Sequence, residues 1–596
     1  MGLVAAPISD HINLRARLRG FVRRNEIALI VLAIVVGAIA AVLVAITSAV
    51  VNLFHHLFFA MPWGQRLSGA MALRSPFLAL VPMGGGLILG LTGIFIKRWR
   101  PRRPIDPIEA NALQGGRMSL LDSVLISCQT IVSCGFGASV GLEAGYTQIG
   151  SGIASRLGAA FKMRRGDMRT LVGCGAAGAI AAAFGAPLTG AFYAFELIIG
   201  TYSPFGLAPV VAAAVSAVLV SLWLGVHNNF AMLLTPVPAM TKADLAIFFL
   251  LAFVCAIVGI GIMRGVTFVE ALFKRSRVPS FLQPVIGGLC IGALALASPH
   301  VLASGHGALF QIFRNSETDV TALCLIVLLK SVASAVSIGS GFRGGLFFAS
   351  LYLGGLIGKI FAAVLPLLIA GFAPDPRVYV TVGMAALAVA VVGGPLTMSF
   401  LALETTGDFR LGAVILMVAT IVSVFVRRTF GYSFATWRLH LRGESIRSAH
   451  DIGWMRTLTV ERMMRPDVAE TRCDQSIAAF REAFPLGSTH WVVGVDAAGR
   501  YAGLISVTDA HLAKDAEESV AMLLRQQGEV LLPGMNIKEA AELFERCESE
   551  ALAVLDDKVD RRPVGMLSEA HVLRRYTEEL EKQRRELSGE KWLGET

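Results

Sequence analysis

Residues 137–152 read GASVGLEAGYTQIGSG, a single carboxylate, Glu143, set among glycines and apolar residues. The stretch is otherwise greasy enough to lie inside a bilayer, where burying a lone ionisable group costs at least about 3 kcal/mol, so an intramembrane glutamate points to an ion pathway. Gly137, Gly141, Gly145, Gly150 and Gly152 allow a broken helix whose free N–H groups face a cavity instead of lipid. Free N–H groups at helix starts attract anions. The alternative is a glutamate satisfied in a helix cap, without a gating role.

Outward from this stretch, the chain has a mean hydropathy of +0.64 and is 55% hydrophobic and 16% charged. Soluble domains are roughly a quarter charged, so the chain is expected to be a polytopic membrane protein. The first apolar run, NEIALIVLAIVVGAIAAVLVAITSAVVNLFHHLFF, is too long for a signal-peptide core and should stay as a spanning helix. The net charge of +10 comes from clusters beside apolar segments: Arg15 to Arg24, Lys97 to Arg103, Lys162 to Arg165, and Arg427 with Arg428. By the positive-inside bias those faces and both termini are cytoplasmic, in a bacterial-type inner (plasma) membrane. No basic stretch comes with interleaved aromatics in a soluble domain, so nucleic acid is not an expected partner. The eight cysteines form no metal-like pairs and read as small buried hydrophobes.

The organisation follows from composition. Residues 1–25 are a basic leader, 26–440 a membrane domain with several interrupted apolar segments, and 441–459 a linker. Residues 460–515 and 516–576 are two copies of a helix, strand, turn, strand, helix pattern, and 577–596 a charged tail. The membrane domain repeats as well. APLTGAFYAFE and GPLTMSFLALE each place a glutamate nine residues after the proline, Pro187 to Glu196 and Pro395 to Glu404. Upstream of the second copy GSGFRGGLFF stands where GASVGLEAG stands in the first. Repeats with broken helices put a substrate site at the repeat interface; residues alone leave parallel and inverted repeats open.

GLEAG (141–145), GSGFRGGLFF (339–348), the two P-L-T...E segments and GYSFATW (431–437) resemble, in order and spacing, the signature segments of the CLC chloride channel and transporter family. The tail resembles a tandem CBS pair. The resemblance implies an all-α polytopic membrane protein with broken and re-entrant helices in two repeated halves, plus a C-terminal α/β CBS pair. It makes Glu143 the gating glutamate, whose carboxylate competes with an anion, although Ala144 and Gly145 replace the family's Gly-Pro. It makes the backbone at Gly141, Gly345, Leu346 and Phe347 the anion-binding donors, with Ala349 in place of a proline; the bland alternative for this glycine-rich segment is helix packing. It makes the Tyr432 hydroxyl an anion ligand, against the alternative of an interfacial anchor.

Two departures matter. The family's serine-containing filter segment is replaced near Arg103, Pro104, Ile105 and Asp106, so chloride selectivity is open and nitrate or another small anion is admissible. Arg103 either compensates with charge or is a cytoplasmic topology arginine. Exchangers of the family carry a proton-accepting glutamate at the position of Leu197, and channels an apolar residue. Glu196 and Glu404, matched in both halves, are expected to be structural, bonded to local backbone. Lys330 lines a vestibule or snorkels from a helix end. In the tail, Ser506 and Asp509 match the S/T-x-x-D that meets a nucleotide ribose, whereas the second copy has Ser568 and His571. The tail therefore takes an adenine nucleotide at one site or serves only for dimerisation.

The expectation is a voltage- or pH-gated chloride channel, a homodimer in the lipid bilayer with a pore in each subunit, regulated by its CBS pair. It requires no cofactor and no metal, and no nucleophile and base pair suggests an enzyme. The alternatives are an anion/proton antiporter for chloride or nitrate, a CBS-regulated cation transporter, and a nucleotide-sensing receptor without transport.

Overall fold

The computed structural model describes residues 26–226, 240–314, 319–441, 458–557 and 559–588. The basic leader, nearly all of the expected linker and residues 589–596 lie outside the described residues. Two compact units, Met1–Asp451 and Ile452–Thr596, divide the chain inside that linker.

The first unit is helical throughout. Its first half holds α1 (Glu26–Phe59), α2 (Val81–Trp99), α3 (Pro107–Leu113), α4 (Leu120–Gly135), α5 (Glu143–Ala160), α6 (Arg165–Phe184), α7 (Pro187–Tyr193) and α8 (Pro204–Trp223). The second half holds α9 (Lys242–Arg275), α10 (Gln283–Ala297), α11 (His306–Arg314), α12 (Val320–Gly339), α13 (Phe347–Leu368), α14 (Pro376–Val392), α15 (Pro395–Thr406), α16 (Phe409–Thr429) and α17 (Phe434–His440). Among the described residues, seven stretches are long and apolar enough to cross a membrane, and four shorter apolar helices accompany them. The protein is an integral membrane protein.

The eight helices α1–α8 are followed in the same order by α9–α16, with α17 after them, and α1 and α9 are each 34 residues long. Packing inside each half uses the same close approach. A Cβ on Gly150 would strike the Gly175 carbonyl, and one on Gly354 would strike that of Gly383. Small residues are what allow backbones to meet this closely where no water drives the helices together.

Between the halves the chain closes on itself. Glu196 accepts from Leu396 N (2.9 Å), Thr397 N (2.8 Å) and Thr397 Oγ1 (2.6 Å). Glu404 accepts from Leu188 N (2.7 Å), Thr189 N (2.8 Å) and Thr189 Oγ1 (2.6 Å). Each carboxylate thus caps the proline-headed helix of the other half, satisfying N–H groups that a helix start leaves free. The glutamates are structural as expected, but their partners are about 200 residues away, not local backbone. Phe192 and Phe400, five residues after each proline, stack at 4.3 Å between them. Beyond Tyr193 the chain widens into a π turn, Ala194–Ile199, which carries Glu196.

In the second unit, α18 (Val460–Met463) and β1 (Glu470–Arg472) precede α19 (Ile477–Ala483), β2 (Trp491–Val495), β3 (Tyr501–Ser506) and α20 (Val507–Leu512). The second copy is α21 (Ile537–Cys547), β4 (Ala551–Leu555), β5 (Pro563–Ser568) and α22 (Glu569–Ser588). β1 runs parallel to β2, while β2–β3 and β4–β5 are antiparallel hairpins. Both hairpins shift register at the equivalent point, Gly494/Val495 and Val554/Leu555. The unit duplicates one helix, strand, strand, helix pattern, in keeping with the CBS-like repeat of the sequence. Residues 577–588, expected as a charged tail, continue α22 as helix.

Removing one cross-half cap should unsettle the membrane domain. Glu196→Ala leaves three donors without an acceptor and is expected to cost about 3 kcal/mol, whereas Glu196→Gln keeps one acceptor and costs less. Thermal unfolding of the purified protein in detergent checks this; equal midpoints for wild type and the alanine variant would contradict it.

Candidate functional site

α4 ends at Gly135, and the chain turns through Gly137, whose φ of +84° is a left-handed conformation that glycine adopts without strain. The loop that follows is fastened on several sides. Ser139 N donates to Ser337 Oγ at 3.0 Å, and the Ser139 and Ser334 hydroxyls are 3.1 Å apart. Ala303 N donates to Gly137 O at 3.1 Å. Gly141 and Gly345 then exchange both backbone hydrogen bonds, 2.8 and 3.0 Å, in an antiparallel bridge. The two chains run in opposite directions where they meet, and each starts a helix two residues later: α5 at Glu143 and α13 at Phe347.

This bridge corrects one expectation. The N–H groups of Gly141 and Gly345 are already given to each other and are not offered to an anion. Leu346 N and Phe347 N, at the head of α13, find no acceptor among the described residues.

Glu143 is 3% exposed. Its carboxylate turns back to the head of its own helix, where its own N–H donates to it. Oε2 has no hydrogen-bond partner among the described residues. It lies where a side chain on Gly141 would begin, so residue 141 has to be glycine for the carboxylate to sit there. An unpartnered buried carboxylate oxygen is costly. The helix dipole offsets part of that cost.

One turn along α5 the polar residues turn to other elements. Thr147 Oγ1 donates to Glu143 O at 3.0 Å, and the Tyr146 hydroxyl meets Ser48 Oγ at 2.7 Å. Gln148 Nε2 donates to Ile105 O at 2.9 Å and to Ser123 Oγ at 3.3 Å, tying the expected filter region to α5. In that region Asp106 is the N-cap of α3, accepting from Glu109 N at 2.8 Å. Pro104, Ile105 and Asp106 are half-buried and Arg103 is exposed.

Tyr432, expected as an anion ligand, has a partner within its own segment. Its hydroxyl meets His440 Nδ1 at 3.0 Å, and its ring stacks on His440 at 4.5 Å. No hydrogen bond or ring contact joins it to Glu143 or Phe347 among the described residues. The aromatic ring beside Phe347 is that of the buried Tyr193, 6.0 Å between centroids, with Phe184 at 5.1 Å on the same ring. The sequence reading passed over Tyr193, Tyr146, Thr147 and Gln148, although all four stand inside stretches it quoted.

Lys330 neither lines a vestibule nor snorkels. It is fully buried, and Nζ donates to Val301 O (3.0 Å) and Ala303 O (2.6 Å). Because Ala303 also bonds Gly137, the lysine backs the loop that leads to Glu143. Phe59 and Leu67, packed against Gly137, form part of the wall of a cavity of about 870 Å3. Arg66, Arg74 and Arg377 also line it, and the Arg66 charge acts on Glu143.

Leu197, half-buried, lies beside Gly393 and Ser433. In the second unit Ser506 Oγ accepts from Asp509 N at 3.2 Å, and the Asp509 carboxylate pairs with Arg525 at 2.7 Å on a partly exposed face.

A family model described as "Voltage gated chloride channel" matches residues 85–428. A ClcB-like chloride channel protein of Ralstonia nicotianae is 30% identical over 378 residues, covering 62% of this chain and 84% of that protein. A slow cyanobacterial Cl−/H+ antiporter shares the fold with a TM-score of 0.61 at 24% identity, covering 70% of this chain and 97% of that one. A eukaryotic CLC transporter does so with a TM-score of 0.54 at 18% identity, over 94% and 98% of the two chains.

The place of the carboxylate can be tested directly. Gly141→Ala is expected to push the Glu143 side chain out, whereas Gly345→Ala, whose Cβ would meet nothing closer than 3.5 Å, leaves it in place. Cryo-electron microscopy of both variants reads the outcome; an unmoved carboxylate in Gly141→Ala would refute the packing argument.

Proposed function

Because the chain belongs to the voltage-gated chloride channel family, we propose that it is a CLC-type anion channel gated by Glu143. It works as a homodimer with a pore in each subunit, and chloride is the first anion to test. The observation that carries this reading is the buried Glu143 Oε2, unpartnered at the head of α5 beside the free N–H groups that open α13.

An anion arriving at the cavity meets the positive charge of Arg66 and Arg74, which raises its local concentration, while Arg377 is paired with Asp375 at 2.7 Å. It then gives up water for backbone donors, as selectivity sites require. Leu346 N and Phe347 N are the donors left for it. The Glu143 carboxylate is the competing anion: while charged and folded onto its helix head it fills the space, and protonation or displacement clears it. Arg103, exposed, is read as a topology arginine, so selectivity falls to backbone donors and to whatever hydroxyl faces them.

Passive conduction is favoured over exchange because Leu197, at the position where exchangers carry a proton acceptor, is apolar and packed against Gly393. The second reading is an anion/proton antiporter. The observation in its favour is Asp106, a half-buried carboxylate whose charge acts on Tyr193 and which could serve as the second proton site.

Flux from liposomes holding the full-length protein separates the two. Wild type is expected to release chloride without driving protons uphill, and Glu143→Gln to release it several-fold faster with its pH dependence lost. Uphill proton movement selects the antiporter; a Glu143→Gln variant that behaves as wild type in both respects removes the gate.

The tail is proposed to regulate this flux by taking an adenine nucleotide at Asp509, whose two oxygens match two ribose hydroxyls. Arg525, now on that carboxylate, would turn to the phosphates. Titrating ATP into the full-length protein is expected to show Asp509→Asn binding at least about tenfold more weakly; equal affinity would leave the tail a dimerisation module.

A further inference from the structure

We propose that the cavity walled by Phe59 and Leu67 is a lipid site: it takes the phosphodiester headgroup of an anionic membrane lipid, held by Arg66 and Arg74. The binding stands apart from the reading of Glu143 as the gate; only its effect on flux rests on that reading.

The size and lining of the cavity favour an amphiphile over a bare halide. Its volume is about 870 Å3, within the range of small-molecule sites and far more than one chloride fills. Phe59, Leu67, Leu73, Phe310 and Phe313 give it apolar walls, which a hydrated halide cannot use and a hydrocarbon body can. Among the described residues no carboxylate lines it. Arg377 is paired with Asp375 at 2.7 Å, so its charge is already met. Arg66 and Arg74 are exposed and have no ion pair among the described residues, which leaves two uncompensated guanidinium groups on the wall. A guanidinium meets phosphate oxygens through parallel N–H donors, a match that a single spherical ion does not offer.

The rim indicates where such a molecule comes from. The segment between α1 and α2, which builds the cavity together with α11, carries exposed apolar side chains: Trp63 at 66%, Met71 at 76% and Phe77 at 80%. Met71 also lines the cavity itself. In a chain that crosses the bilayer, tryptophan and large apolar residues exposed beyond a helix end lie at the headgroup level, and arginines beside them meet lipid phosphates. An acyl chain can therefore leave over Met71 while the headgroup stays on the arginines. Phe59 and Leu67 also pack against Gly137, in the loop leading to Glu143. A phosphate in the cavity thus sits on the route an anion takes to the gate and repels it.

Native mass spectrometry tests the site on the full-length protein, purified in detergent and mixed with phosphatidylglycerol, phosphatidylcholine or glycerol 3-phosphate. Phosphatidylglycerol is expected to stay bound in preference to phosphatidylcholine, whose choline cation the arginines repel. Arg66→Gln combined with Arg74→Gln should weaken its binding at least about tenfold, the loss of charge-assisted hydrogen bonds. Met71→Glu, which keeps both arginines and sets a carboxylate at the mouth, should weaken it as well. Lys97→Gln with Arg98→Gln, at the far end of α2, should leave it unchanged. Equal retention of the two lipids overturns the proposal, as does wild-type retention in the double arginine variant. So does displacement of phosphatidylglycerol by glycerol 3-phosphate at equal concentration, since the site would then serve a free phosphate ester. In liposomes, wild-type chloride flux is expected to fall several-fold from phosphatidylcholine to phosphatidylglycerol, and that of the double arginine variant to change much less; bilayer surface charge acts on both alike. Retained lipid without that difference in flux would remove the anion route through the cavity and leave the lipid site standing.

Discussion

Inside a bilayer every broken helix has to find partners for its free backbone groups within the protein. This chain breaks its helices at the centre of both halves and resolves the problem by pairing the halves with each other. Gly141 and Gly345 satisfy one another, and Glu196 and Glu404 each close the helix that the other half leaves open. Neither half is complete alone. The same closure brings the heads of α5 and α13 together and leaves a few N–H groups over, which is what an anion needs.

Glu143 departs from that rule of satisfaction. Lys330 has two carbonyl acceptors, and Glu196 and Glu404 have three donors each. Glu143 has an oxygen with no partner and a glycine beneath it that makes room for the group. A carboxylate held so loosely is poorly suited to bracing a fold and well suited to leaving its place. That contrast separates Glu143 from the structural carboxylates more clearly than burial does.

Much of this was legible in the residues. The repeat, its glutamates and the break at GLEAG came from spacing alone, because periodicity and glycine placement act locally. What escaped the sequence depends on partners far along the chain. Glu196 looked like a local cap because a cap has the same appearance wherever its helix lies. Lys330 could not reveal carbonyls 27 and 29 residues upstream. Tyr432 was placed by motif order, but the turn into α17 brings His440 beneath it and captures its hydroxyl. Tyr193, in a run of small and aromatic residues, looked like filler until Phe347 stood beside it.

The wide turn at Ala194–Ile199 sits between two contacts of its segment, the Tyr193 ring against Phe347 and the Glu196 carboxylate on Thr397. An α-helix advances about 100° per residue, and a π turn absorbs one extra residue. Shortening this segment by a single residue would swing the glutamate away from the opposite half while the tyrosine stayed put. The length of the turn therefore acts as a mechanical clutch: it lets the assembly of the two halves and the packing at the head of α13 be set by neighbouring residues of one short segment without either dictating the other.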